Sequence, residues 1–473
     1  MTLIFADHKF QYETERLFRA FFPPIKIGLS TDKADADGEY CLTERNFDGG
    51  EIVLSVRLCA DGKDICRGQR VSSDTPEKEQ ERVMSVLLYR VLSEYTGIEI
   101  PWGILTGVRP VKVLSRLSES EAEEKLLVSG EKIALARTID RIQQPMIAAI
   151  PENSYSLYVS IPFCPTRCSY CSFVSHSVDK AAARMDEYVM RLVEEMEQTA
   201  EVAKQLGLQL DTIYFGGGTP TTLSAEQLKR LFGALDMFDR SHVREFTVEA
   251  GRPDTITRDK LIAIKEAGAD RISVNPQTMR DSVLEAIGRR HTTAQTEEAY
   301  RLAREVGFRC INMDLIAGLP TDDVDGFKYS LDRVMELRPE NVTVHSLSLK
   351  RAATLFHEQD RKTHGGATEM IDYTHRQLQG AGYLPYYLYR QKNTADNQEN
   401  TGYALQGTES LYNMFIMEEL QTILAVGAGA STKLVDTENG RIHRLCNHKF
   451  PYEYLDRFDD IKAKNKEISD FFV

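Results

Sequence analysis

The sequence predicts an α/β protein: a partial, open (β/α)6 barrel with an α+β N-terminal domain and a mixed C-terminal region. Three observations lead there. Between residue 155 and about 350, short apolar runs alternate six times with longer periodic segments. Glycines such as Gly268 and Gly307 close those segments, as left-handed helix ends favour. The run Cys164-x3-Cys168-x2-Cys171 follows the first short run directly, the end of a strand where barrels carry chemistry. Six βα units in series imply a parallel sheet with right-handed crossovers. Six are too few to close an eight-stranded barrel.

Residues 1–150 read as an N-terminal domain. Residues 51–58, Glu-Ile-Val-Leu-Ser-Val-Arg-Leu, have strand character. Thr75-Pro76 predicts a helix start with Pro at the first helical position, and the helix then aligns Val83, Leu87, Val91 and Tyr95. The only Trp, Trp102, lies in a loop and reads as a packing anchor against the next domain. Ser120-x-x-Glu123 predicts a capping box for one of the helices filling 111–148. Residues 151–350 form the barrel. Its strands are predicted at 157–161, 212–215, 245–249, 271–274, 310–316 and 341–347, and its helices at 184–206, after Ser224, and at 257–267, 293–306 and 323–337. Residues 351–473 form the mixed C-terminal region, expected to cover a substrate.

The chain of 473 residues carries a net charge of −13, which argues against nucleic acid as a partner. No run of 18 uncharged apolar residues predicts a membrane span. The N-terminus lacks the pattern of a signal peptide, so a reducing cytoplasm is the expected compartment. There the sparse cysteines argue against disulfides. Cys41, Cys59, Cys66, Cys310 and Cys446 read as buried small apolar groups, and Met185, Met190 and Met196 as helix packing.

Cys164, Cys168 and Cys171 place three soft ligands on one tight loop. They suit three corners of an iron–sulfur cubane with one iron left open. The loop by itself also admits zinc, with His176 completing a Cys3His set. Gly216-Gly-Gly-Thr-Pro220 after the second strand allows close approach to the backbone. Glu249, Gln277 and Asp314 stand at the ends of strands three, four and five, converging on one rim. Arg289 is suited to meeting a carboxylate through its planar fork. His345 on strand six either faces the pocket or is a core histidine. Lys350, Arg351, Arg390 and Lys392 are candidates for anionic substrate groups, and Tyr386, Tyr387 and Tyr389 for a flat apolar wall.

The cysteine spacing followed by Gly-Gly-Gly-Thr-Pro resembles the radical S-adenosylmethionine (SAM) superfamily. The fuller set is Tyr158-x-x-Ile-Pro-Phe-Cys164, Arg271-Ile-Ser273 with Gln277, Arg289-x-His291 and Asp314-Leu-Ile-x-Gly-Leu-Pro320. It is similar to the oxygen-independent coproporphyrinogen III dehydrogenase family over residues 155–350. Trp102-Gly-Ile-Leu-Thr-Gly-Val-Arg-Pro110 and Pro385-Tyr-Tyr-Leu-Tyr-Arg-Gln-Lys392 resemble its HemZ-type branch.

The resemblance implies a [4Fe–4S] cluster on Cys164, Cys168 and Cys171 whose open iron chelates SAM. It implies one-electron cleavage of SAM to methionine and a 5′-deoxyadenosyl radical, then oxidative decarboxylation of two propionates of coproporphyrinogen III to give protoporphyrinogen IX in heme biosynthesis. One or two SAM molecules are implied. Tyr158, Gly217 and Glu249 would serve the first, with Tyr158 and Glu249 counted as catalytic. Tyr170, Gly218, Thr219, Gln277, Arg289 and Asp314 would serve the second. A porphyrinogen substrate and an electron donor such as flavodoxin or ferredoxin complete the expected partners.

Two positions depart from the dehydrogenase pattern. Ser160 stands where it has His, and Phe173 where it has a fourth Cys. Phe173 is shared with a heme-chaperone branch, which gives a second reading, a heme-handling protein. A third is another radical enzyme on a tetrapyrrole. The chaperone's His-Asn-x-x-Tyr-Trp string has only Glu399-Asn-Thr-Gly-Tyr-Ala404 as its nearest counterpart.

Overall fold

The computed structural model describes the chain except residues 23–26, 174–175, 349, 351–352, 358–365, 438 and 473. Arg351, one of the substrate-group candidates, lies outside the described residues. The chain divides into two units, Met1–Asp140 and Arg141–Val473.

The first unit holds a mixed five-stranded sheet in the order Gly28–Ser30, Thr2–Ala6, Tyr40–Asp48, Glu51–Ala60, Lys63–Ser72. Strict alternation along Glu51–Ala60 buries Ile52, Leu54, Val56 and Leu58, the period of a half-buried strand. They pack with Leu17, Phe18 and Phe21 of helix Gln11–Phe21 and with Val83, Leu87 and Val91 of helix Glu77–Thr96. Pro76 precedes that helix as its cap residue and is not its first turn. The capping box forms at Ser118 and Glu121, not at Ser120 and Glu123. Both pairs have the required spacing, and the earlier one starts the helix, leaving Ser120 inside Glu119–Leu126. Trp102 is fully buried, with the Lys132 ammonium 5.9 Å from its ring centroid.

In the second unit all six predicted strands form, side by side and parallel. They are Ser154–Ile161, Gln209–Gly217, Glu245–Glu249, Arg271–Ser273, Cys310–Ala317 and Asn341–Ser346. Their helices include Met185–Gln205, Ala225–Gly233, Arg258–Glu266, Thr293–Val306 and Val324–Leu337. The Ser224–Gln227 capping box is present, and Gly307 ends its helix with φ 95°. The sheet stays open. A seventh parallel strand, Thr422–Val426, lies beside the first, and antiparallel strands finish both edges, Asn400–Ala404 with Leu384–Tyr389 and Ser431–Asp436 with Arg441–Cys446.

Alternation along the six strands sorts the residues. Leu157, Val159, Ile213, Phe215, Phe246, Val248, Ile311, Met313, Val342 and Val344 enter the apolar core beneath the helices. The residues between them, including Tyr158, Tyr214, Glu249, Ser273, Asn312, Asp314, Thr343 and His345, form the opposite, polar face.

Four expectations about cysteine and methionine packing are corrected. Cys66 and Cys446 are exposed, because each sits on an edge strand, and Cys59 is half-buried. Cys41 and Cys310 are buried. Met190 is exposed, off the stripe that buries Met185, Leu192 and Met196.

Candidate active site

The cysteine loop is closed at its base. Phe163–Cys164 pairs with His176–Ser177, and the His176 amide donates to the Pro162 carbonyl at 3.0 Å. Within it the Cys171 amide donates to the Cys168 carbonyl at 3.1 Å, which turns the chain. Neighbouring loops grip it from outside. The Ser169 amide donates to the Ile287 carbonyl at 3.0 Å, and the Thr166 hydroxyl to the Gly288 carbonyl at 2.9 Å. Arg252, three residues past Glu249, donates to both oxygens of Thr166.

The three thiols are free and half-buried or buried. Burial first, and the neighbouring Cys168 and Cys164 sulfurs after it, push the Cys171 thiol up, against the pull of the Phe173 amide. A buried thiol beside two other sulfurs suits ligation to a cationic centre, where the thiolate is the ligand. Among the described residues no group of three or more His, Cys, Asp or Glu is spaced for a single metal ion. One tetrahedral zinc would draw each sulfur to about 2.3 Å, whereas a cubane takes its ligands at separate corners. The imidazole of His176 meets Tyr452 and Phe450 edge-on, with centroids 5.0 and 6.2 Å away. Three free thiols on one loop fit three corners of a cubane cluster.

The glycine run serves close packing. Gly217 has φ 110°, and a Cβ there would meet the Ile161 amide nitrogen at 2.9 Å. A Cβ on Gly218 would meet the Phe163 carbonyl oxygen at 2.6 Å. The second strand can thus lie directly against the chain entering the cysteine loop. Next in line, the Thr219 hydroxyl is 3.6 Å from the Cys164 sulfur. Gly216 faces the interior, where a Cβ would meet Tyr214, Tyr158 and Glu249 at 2.9, 3.2 and 3.3 Å.

Those three residues form one side of the interior. Tyr214 donates to the Glu249 carboxylate at 2.5 Å. The rings of Tyr158 and Tyr214 stack at 6.2 Å, and Tyr412, from helix Leu411–Glu418, stacks on Tyr214 at 4.3 Å. Burial first, with Asp314 adding to it, pushes the Glu249 carboxyl up to about 7, although Tyr214 and His345 pull it down. Burial also raises the Tyr158 and Tyr214 phenols. Opposite stands a polar ladder. Asn312 donates to Ser273 and to Asp314 at 2.9 and 2.7 Å. His345 lies 3.8 Å from Asp314 through Nε2 and 3.3 Å from the Tyr389 hydroxyl through Nδ1. His345 thus faces the interior.

The remaining predicted residues form a group beside the loop. Arg289, 8% exposed, donates to the Asn275 carbonyl at 2.8 Å and to the Tyr170 hydroxyl at 3.3 Å. Its Nε is buried without a protein partner, an aimed donor that suits an anionic ligand. Burial works against its charge, but Tyr170 and Cys168 outweigh burial and raise its proton affinity. Gln277 takes the left-handed conformation at φ 69°, and its amide donates to the Asp314 carbonyl at 2.8 Å.

Sequence reasoning missed Tyr214, Tyr412, Arg252 and Asn312. Tyr214 and Asn312 carried a signal, since each lies two positions from a selected residue on the same strand and so shares its face. Tyr412 lies far along the chain and carried none. Of the substrate-group candidates, Arg390 is buried and donates to the Asn397 carbonyl at 3.1 Å, while Lys350 is exposed. Tyr386 and Tyr387 are buried.

Comparison with known proteins agrees with this geometry. Residues 158–334 match the model of the radical SAM superfamily. The chain is 42% identical to the oxygen-independent coproporphyrinogen-III oxidase-like protein HemZ of Bacillus subtilis (strain 168), over 82% of this chain and 81% of that protein. It is 41% identical to the heme chaperone HemW of the same organism, over 41% of this chain and 50% of that one. In fold it resembles coproporphyrinogen III oxidase HemN from Escherichia coli, described as a radical SAM enzyme, with a TM-score of 0.50 and 23% identity over 67% of this chain and 71% of that one.

Proposed function

The chain belongs to the radical SAM superfamily and, within it, to the family of oxygen-independent coproporphyrinogen-III oxidase-like proteins, and on that premise we propose that it oxidatively decarboxylates coproporphyrinogen III to protoporphyrinogen IX without oxygen. Superfamily membership brings a [4Fe–4S] cluster and SAM as cofactors. Bound together they supply one-electron cleavage of SAM and so the abstraction of a hydrogen atom from substrate.

The protein's own residues do the rest. Cys164, Cys168 and Cys171 hold the cluster, and Thr219 stands beside Cys164. Tyr158, Gly217 and Glu249 bind and orient the first SAM. A carboxyl pushed up to about 7 can accept or give a proton at its own oxygen near neutrality. Tyr170, Gly218, Thr219, Gln277, Arg289 and Asp314 face a second polar ligand, with the Arg289 fork suited to its carboxylate. The propionate would give a hydrogen atom to the adenosyl fragment of cleaved SAM and one electron to an external one-electron acceptor, and would release carbon dioxide, leaving a vinyl group.

The observation that carries the reading is the polar face of the barrel sheet, where Tyr214 donates to the Glu249 carboxylate and Asp314 and His345 stand close enough to shift its acidity. The heme-handling reading has its own support. Ser160 donates to the Ala428 carbonyl at 2.9 Å, and the chain at Gly427 and Ala428 fills the room a histidine there would need. Phe173 is 67% exposed. Against it, Asn400 and Tyr403 are buried within a sheet strand, and the Asn400 side-chain oxygen accepts from the Ser346 amide at 3.0 Å, so they offer nothing to an outside heme.

The test is anaerobic reconstitution with reductant, SAM and coproporphyrinogen III, followed by product mass. Loss of two carbon dioxide units with matching 5′-deoxyadenosine is expected. Stoichiometric heme binding without a vinyl product would favour the second reading. Cys168→Ala is expected to abolish both cluster and SAM cleavage while Cys310→Ala spares both. Equal loss in the two variants would contradict the ligand assignment.

A further inference from the structure

We propose that Arg252 is a positioning residue for the cluster, shaping the cysteine loop through Thr166 and raising the reduction potential through Cys168. The inference rests on the reading that Cys164, Cys168 and Cys171 carry a [4Fe–4S] cluster.

Arg252 is 3% exposed and comes from the turn after the third strand, in Glu249-Ala-Gly-Arg-Pro253. A guanidinium has five N–H donors, and the structure gives work to each of its nitrogens. Nε and Nη2 reach the two oxygens of Asp254, both at 3.1 Å. Nη2 also reaches the Thr166 hydroxyl at 3.1 Å. Nη1 reaches the Thr166 hydroxyl at 3.1 Å and its carbonyl at 3.3 Å. Nη1 also lies 3.9 Å from the Cys168 sulfur.

Two consequences follow. Thr166 sits midway between Cys164 and Cys168, so the fork sets the path of the loop between two ligands. A lysine has no planar fork and cannot make the bidentate pair with Asp254 while holding Thr166. The second consequence is electrostatic. Arg252 is balanced by Asp254, but Arg289 has carbonyl and phenol partners and the Cys168 sulfur, with no carboxylate among them. His291, buried nearby, lies 3.8 Å from Asp254. The protein therefore puts two buried guanidiniums beside Cys168, with the Asp254 carboxylate paired to only one of them. Donors and positive charge beside a ligating sulfur stabilise the reduced, more negative cluster and raise its potential.

The experiment is iron analysis and an EPR-monitored redox titration of the reconstituted full-length chain. Arg252→Gln is expected to lower the ratio of reduced to oxidised cluster about tenfold at a fixed poise, a shift of about −59 mV for one electron. Asp254→Asn, which removes the counter-charge, is expected to move it the opposite way. Arg252→Lys is expected to keep the potential near that of the parent chain but to bind less iron, because charge survives and the fork does not. An unchanged potential in Arg252→Gln overturns the proposal. If that variant does not fold, Asp254→Asn decides, and a potential that stays put or falls overturns it. A parent chain that takes up no iron–sulfur cluster refutes the reading beneath, not the role of Arg252.

Discussion

Glu249 shows how one residue's surroundings set its chemistry. An ordinary glutamate releases its proton near pH 4.3, but here burial and Asp314 push the carboxyl up to about 7. Between those values the folded protein keeps a proton that the unfolded chain gives up. Stability therefore falls as pH rises through that window. Before any cluster is loaded, Glu249→Gln is expected to flatten this slope, so that the parent chain loses more stability than the variant between pH 5 and pH 8. Denaturant midpoints at the two pH values measure it, and parallel slopes would contradict the assignment. The position of Glu249 was legible from its place at a strand end. Its shifted acidity was not, since Tyr214, Asp314 and His345 come from three other strands.

Helix Met185–Gln205 follows the cysteine loop, and its place depends on one buried acid. Glu195 is fully buried and accepts from the Gly427 amide, Asn447, Tyr454 and Lys464 at 2.7 to 2.8 Å. Lys464 also donates to the Ala425 carbonyl at 2.8 Å. Such a pair adds little when complete, but removing one partner strands a buried charge. Lys464→Ala is expected to cost about 3–5 kcal/mol, read from urea unfolding. A loss below about 1 kcal/mol, the level of a surface pair, would show that Glu195 is not held as described. In the sequence Glu195 looks like any polar residue of a charged helix. Only the meeting of four distant segments gives it this role.

On the scale of the whole chain, the second unit is completed by residues far from its barrel segment. Thr422–Val426 pairs with Tyr155–Val159 and covers the outer edge of the first strand, while the Gly427–Ala428 turn packs on Ser160. A chain ending at residue 418 is expected to lose that strand together with every Glu195 partner named above, leaving a bare edge and a buried charge. Size-exclusion chromatography and far-UV circular dichroism should show aggregation or unfolding. A monodisperse, folded fragment that still takes up the cluster would contradict this. No described helix is long and apolar enough to cross a membrane.

The amino-acid order alone determined the six βα units, the cysteine loop after the first strand, the acids at the strand ends and the family they resemble. These are local signals: period-two and helical repeats, capping residues and spacing within a few positions. Tertiary structure alone decided that Tyr412 stacks beneath Tyr158 and Tyr214, that Arg252 clamps the cysteine loop, and that the C-terminal region extends the barrel sheet. Such contacts join residues tens to hundreds of positions apart. Side-chain period says which face a residue occupies, but only the folded chain says what stands opposite.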